Sequence, residues 1–98
     1  MTSIGAGSIL KTAPDVRFRV VDREAVVVRQ RSAEVLVMNE VAARLLALAD
    51  GVQPVSHWLD VLAAEFAVDR ATLENDVVGF ANDLAAEGLL ELVEVAAP

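Results

Sequence analysis

Glu34-Val35-Leu36-Val37-Met38-Asn39-Glu40-Val41-Ala42-Ala43-Arg44-Leu45 contains the change of period on which the fold of this chain turns. Up to Met38 the residues are densely apolar and β-branched, as in a strand. Beyond Asn39, Val41, Leu45 and Leu48 recur at helical spacing. Asn39 suits the boundary, because its side chain can accept from an early helical amide. Upstream, Val16-Arg17-Phe18-Arg19-Val20 alternates apolar and basic with period two, the mark of a strand with one wet face. Asp22-Arg23-Glu24 makes a turn, Ala25 to Gln30 suits a second strand, Arg31-Ser32-Ala33 turns again, and Glu34 to Met38 is the third. An antiparallel meander is expected.

Downstream, helix one is expected over Glu40 to Ala49 and is ended by Asp50-Gly51. Helix two follows Pro54 over Val55 to Ala67, with Val55, Trp58, Leu62 and Phe66 as its apolar stripe. That stripe makes Trp58, the sole tryptophan, a core residue, with a surface anchor as the other reading. Asp69 caps helix three, Leu73, Val77, Ala81 and Leu84 form its core stripe, and Gly88 ends it. Leu89 to Val93 returns as a short strand or packs along the core. The expected fold is α+β and winged-helix-like: a three-stranded antiparallel sheet followed by three helices, over residues 16–93. Residues 1–15, with Gly5, Gly7, Ser8 and Pro14, are read as a flexible N-terminal arm, and residues 94–98 as a frayed C-terminus.

The charge is divided between the halves. Met1 to Ala49 carries seven basic and five acidic side chains, whereas Asp50 to Pro98 carries one basic and ten acidic, giving +2 and −9. Phosphate backbones are held by clustered Lys and Arg, so the acidic helical half disfavours nucleic acid and the expected partner is a polypeptide. With 98 residues and 55% apolar composition, the chain makes one domain with ample core. The absence of cysteine excludes disulfides, iron–sulfur clusters, thiol nucleophiles and cysteine-based zinc sites. No run approaches the length of a signal peptide core or a membrane span, so no membrane association is expected and a cytoplasmic location is the default.

Catalytic chemistry finds no support. His57, the only histidine, follows Ser56 in the first turn of a helix, where neighbours point in different directions and cannot form a catalytic pair. The carboxylates are scattered over helix surfaces with no second histidine to complete a metal site. Gly5 and Gly7 precede no phosphate-binding turn, and no cofactor is expected. Gly79 is unusual, since glycine inside a helix costs about 1 kcal/mol relative to alanine. A close approach to that helix accounts for it, either by the chain's own core or by an incoming chain. Beside the core stripe, Asp76, Phe80, Asp83 and Glu87 cluster at neighbouring angles with Leu73 at their border. They form either a groove wall for a peptide with apolar anchors and a basic residue, or an ordinary wet rim around a buried Phe80.

In order along the chain, Met38-Asn39, Ala42-Ala43, Asp50-Gly51, the Leu62 to Phe66 stretch, Asp76-Val77 and Gly88-Leu89-Leu90 resemble the PqqD family, the recognition elements of ribosomally made and modified peptides. The resemblance covers Val16 to Leu92. It implies a three-stranded sheet on three helices with no catalytic activity. It also implies binding of a precursor's leader peptide and delivery to a modifying enzyme, such as a radical SAM enzyme or a leader protease. The leader would add as a strand in the cleft between strand three and helix three. Carried onto this chain, the edge is Glu34, Val35, Leu36, Val37 and Met38, and the helix wall is Leu73, Asp76, Val77, Phe80 and Leu84, with Asp83 beside them. Three features depart from the family pattern: Met38 stands where leucine is common, Pro54 occupies the place of a threonine or serine cap, and the N-terminal arm is long. The arm leaves open an enzyme contact or a homodimer made by exchanging strands. A winged-helix transcription regulator is the second reading, with helix three as the reading helix, but Glu74, Asp76, Asp83 and Glu87 against Arg70 give that helix the wrong sign for DNA.

Overall fold

The computed structural model describes residues 4–93. The meander forms as expected: β2 (Val16–Val21), β3 (Glu24–Arg29) and β4 (Glu34–Met38) make one antiparallel sheet in that order, with β4 at an edge. Val26 lies opposite Arg19 and Val37, and Val28 opposite Arg17 and Val35. Asp22 and Ala33 take left-handed φ values of 56° and 57° in the two turns.

Helix α1 (Glu40–Leu48) starts at Asn39, whose side chain accepts from the Ala42 amide at 3.0 Å. Helix α2 spans Val55–Phe66, and α3 spans Arg70–Ala86 behind Asp69, whose carboxylate accepts from the Thr72 amide. Gly88 follows α3 at φ 76°, a left-handed conformation that glycine adopts without a Cβ penalty. Trp58 is fully buried, together with Leu45, Leu59, Leu62, Val77, Ala81 and Leu84. Val41 and Phe66, placed on core stripes by their spacing, are instead among the exposed large side chains; Ala42, Ala43 and Leu46 take the inward positions of α1.

The N-terminal arm is corrected by the structure. Ile9–Thr12 forms β1, the centre of a second sheet between β5 (Asp50–Pro54) and β6 (Leu90–Leu92). Leu10 is fully buried opposite Leu92, and Ile4 joins the same core. Two groups draw the segment in. Pro54 provides no side-chain cap for α2, and the Ser8 and Ala6 carbonyls accept from the Val55 and Ser56 amides at 2.9 and 2.8 Å. The Asn82 side chain on α3 pairs with the Ile4 backbone, accepting at 3.3 Å and donating at 3.4 Å. Free helix amides and a central strand position therefore convert an aperiodic stretch into ordered structure. Met1 to Ser3 and the expected frayed end at 94–98 lie outside the described residues.

Asp50-Gly51 does more than stop α1, since both residues open β5 and Gly51 takes φ 78°. The Asp50 carboxylate accepts from the Gln53 and Val52 amides at 2.9 Å each. These bonds, that from Gln53 foremost, hold its carboxyl below the usual carboxylate range. Among the described residues, no helix is long and apolar enough to cross a membrane.

Candidate functional site

The open edge of β4 has a defined phase. The bond from the Gln30 amide to the Asp15 carbonyl, 2.8 Å, fixes which residues of β3 turn their backbone groups toward β2. By strict alternation these are Glu24, Val26 and Val28, so Ala25, Val27 and Arg29 face β4 and bond Met38, Leu36 and Glu34. The amides and carbonyls of Val35 and Val37 consequently point to the open edge. Their side chains lie on the outer face of the sheet, 60% and 64% exposed.

Side chains alternate in the opposite sense. Leu36 and Met38 are half-buried and pack inward against the core, sharing it with Leu73 and Phe80 of α3. Glu34 is exposed at the start of the strand. Helix α3 runs antiparallel to β4. At one end, Arg29 bridges Glu34 to Glu87, just past α3. At the other, Val41 of α1 meets Leu73 and Val77 around an apolar hollow of about 210 Å³, completed by Arg44, Leu62, Phe66 and Val68. Arg44 also binds Glu65, Nε to Oε2 at 3.2 Å, tying α1 to α2 beside that hollow.

The expected wall residues divide into two groups. Val77 and Leu84 are buried and belong to the core, Val77 also bordering the apolar hollow. Asp76 and Asp83 are exposed and, with Asn75, Gly79 and half-buried Phe80, line an open depression of about 410 Å³. Among the described residues, and apart from its chain neighbours and the helix's own backbone, nothing lies within 4 Å of a Cβ added to Gly79. Among the described residues, the chain's own core therefore does not account for this glycine.

The hollow residues Val41, Arg44, Leu62, Phe66 and Val68 were missed by the sequence reading, as was Arg29. Val41 and Phe66 were hidden because their spacing matches a core stripe. Arg29 carried a usable signal: a charge in a valine-rich strand at a position with the parity of the core-facing Ala25 and Val27. Among the described residues there is no group of three or more His, Cys, Asp or Glu side chains able to hold a metal. The basic side chains separate as well: Arg17 and Arg19 lie on the outer sheet face, while Arg29 faces inward.

Comparison with known proteins matches this frame. The family model of Coenzyme PQQ synthesis protein D (PqqD) matches residues 24–90. The "PqqA binding protein" of Rhodopseudomonas palustris strain BisB5 is 39% identical over 64 residues, covering 65% of this chain and 63% of its own length. That of Bradyrhizobium diazoefficiens is 38% identical over 56 residues, covering 57% of this chain and 54% of its own. The matched region is thus less than two thirds of these relatives. The solved structure of TbiB1 in complex with the TbiA(beta) leader peptide superimposes with a TM-score of 0.73 at 26% identity, covering 89% of this chain and 99% of TbiB1. From the second strand of the meander through all three helices to the start of the last strand, the sequence carries the family pattern, and the chain belongs to the PqqD family.

Proposed function

We propose that this chain is a non-catalytic adaptor that binds the leader segment of a ribosomally made precursor peptide and presents it to a modifying enzyme, of the radical SAM or leader-protease kind. The observation that carries this reading is the pair of outward backbone positions at Val35 and Val37 on an open edge beside α3. Strand addition takes its affinity from main-chain bonds and its selectivity from alternate side chains.

The sheet is wholly antiparallel, so an added strand that continues it runs from the Met38 end toward Glu34. Its residues opposite Leu36 and Met38 face α3, and those opposite Val35 and Val37 face outward. Apolar residues at the inward positions meet Leu36, Met38, Leu73 and Phe80. An apolar residue preceding the strand reaches the hollow at Val41, Phe66 and Leu73. Asp76 and Asp83 favour a basic residue in the leader. The names of the relatives, and the leader peptide held by TbiB1, support the same reading. The acidic side chains Glu74, Asp76, Asp83 and Glu87 speak against the DNA-binding alternative.

The test is an amide NMR titration of the isotope-labelled chain with the synthetic leader encoded by a short reading frame beside its gene. Shifts concentrated in Glu34 to Met38 and Leu73 to Leu84 are expected. An absence of shifts, with movement on addition of duplex DNA at low salt, would replace the adaptor reading with the regulator.

A further inference from the structure

A strand with one face in water reads apolar and polar in turn, as β2 does. β3 and β4 do not. Ala25 and Val27 point into the core, yet Val26 and Val28 point outward beside Val37 and Val35, and none of these four packs against the core. Cross-strand pairing arranges them in two rows on the outer face, Arg17-Val28-Val35 and Arg19-Val26-Val37, each beginning with a cation and ending at the open edge. A shallow hollow of about 290 Å³ lies between the rows over Arg17, Phe18, Arg19, Val26 and Val28.

We propose that this outer face is the docking surface for the modifying enzyme, which meets it with apolar side chains flanked by carboxylates. The proposal rests on the adaptor reading above. Three observations choose the occupant. Strands that are apolar on both faces need cover on both, and the core covers only one. The cations select an acidic partner: Arg19 makes no ion pair among the described residues, and Arg17 spends one nitrogen on the Pro14 and Val16 carbonyls at 3.0 Å each. A second copy docked face to face would set arginine rows against arginine rows in a chain already at −7. Finally, both rows run out to Val35 and Val37, so a leader strand paired there adds its own outward side chains as the next member of each row. An enzyme seated on this face touches leader and adaptor together, which makes loaded adaptor its better ligand.

The experiment compares the full chain with Arg17→Glu/Arg19→Glu, and with Arg19→Glu alone, which keeps the Arg17 bonds. Calorimetry measures affinity for the synthetic leader and, separately, for the modifying enzyme encoded beside the gene. Unchanged leader affinity is expected, with enzyme affinity weakened roughly tenfold or more and the wild-type contact weakened by salt. Intact enzyme binding by both variants overturns the proposal while leaving the groove untouched. Failure of the wild-type chain to bind leader at all removes the adaptor reading and this proposal with it. A dimer in sedimentation velocity that Val28→Lys converts to monomer assigns the face to a second copy and also overturns it.

Discussion

Arg29 Nε lies 2.8 Å from Glu34 Oε1, and its Nη2 lies 3.6 Å from Glu87 Oε2, so one guanidinium spans the first residue of the edge strand and the residue just past α3. The approach to Glu34 is out of line with the N–H, which makes it an ion pair rather than a hydrogen bond. It ties the start of the edge strand to the end of α3. Arg29→Met keeps the bulk and removes both pairs. Because both acids are largely exposed, stability should fall by no more than about 1 kcal/mol, while leader affinity drops several-fold as the end of the groove loosens. Thermal melting and calorimetry on one preparation check both.

Adjacent positions on β4 separate edge pairing from sheet integrity. Val37→Pro removes an amide that points away from β3, so the folded domain should persist with weakened leader binding. Leu36→Pro removes an amide bonded to β3 and clashes with the ladder, and it should unfold the meander. Circular dichroism with leader titration distinguishes them. Equal affinity in folded Val37→Pro would count against strand addition.

Gly79→Ala tests why α3 tolerates a glycine. Apart from its chain neighbours and the helix's own backbone, no atom of the described residues stands within 4 Å of the added Cβ, so the helix should gain roughly 0.5–1 kcal/mol. If the leader approaches the helix backbone there, affinity falls as the melting temperature rises. A rise in both would place the leader elsewhere.

Asp76 is exposed on the rim of the same depression. Asp76→Lys should weaken a leader carrying a basic residue more than its neutral counterpart, and the difference should shrink with added salt. Binding isotherms of two synthetic leaders at two salt concentrations measure it. Equal losses would leave the carboxylate no part in selectivity.

Leu10 is fully buried in the central strand of the second sheet. Leu10→Ala should cost about 2–5 kcal/mol in urea unfolding followed by the fluorescence of buried Trp58. A change below about 1 kcal/mol, the ordinary range for surface positions, would mean that β1 is loosely attached after all.

Local pattern decided much of this molecule. The alternation at Val16 to Val20, the switch at Asn39 and the caps Asn39 and Asp69 specify a meander followed by three helices, because periods of two and 3.6 and side-chain caps act over a few residues. Acidic α3 disfavoured DNA without any coordinates. The ordered motifs also pointed to the family and to the edge strand.

Tertiary structure decided what depends on partners far away in the chain. Ile9–Thr12 is only four residues long and has no period of its own; it becomes a central strand because Asp50–Pro54 and Leu90–Leu92 lie on either side of it and the start of α2 needs carbonyls. Spacing could not separate Val41 and Phe66, which border an open hollow, from Leu84, which is sealed in the core, since periodicity gives a direction around a helix but not what stands opposite. The outward phase of Val35 and Val37 and the inward direction of Arg29 required the pairing register itself. Short-range sterics and hydrogen bonding thus determined the meander and the three helices, whereas long-range packing determined the second sheet and which surfaces remain open to a partner.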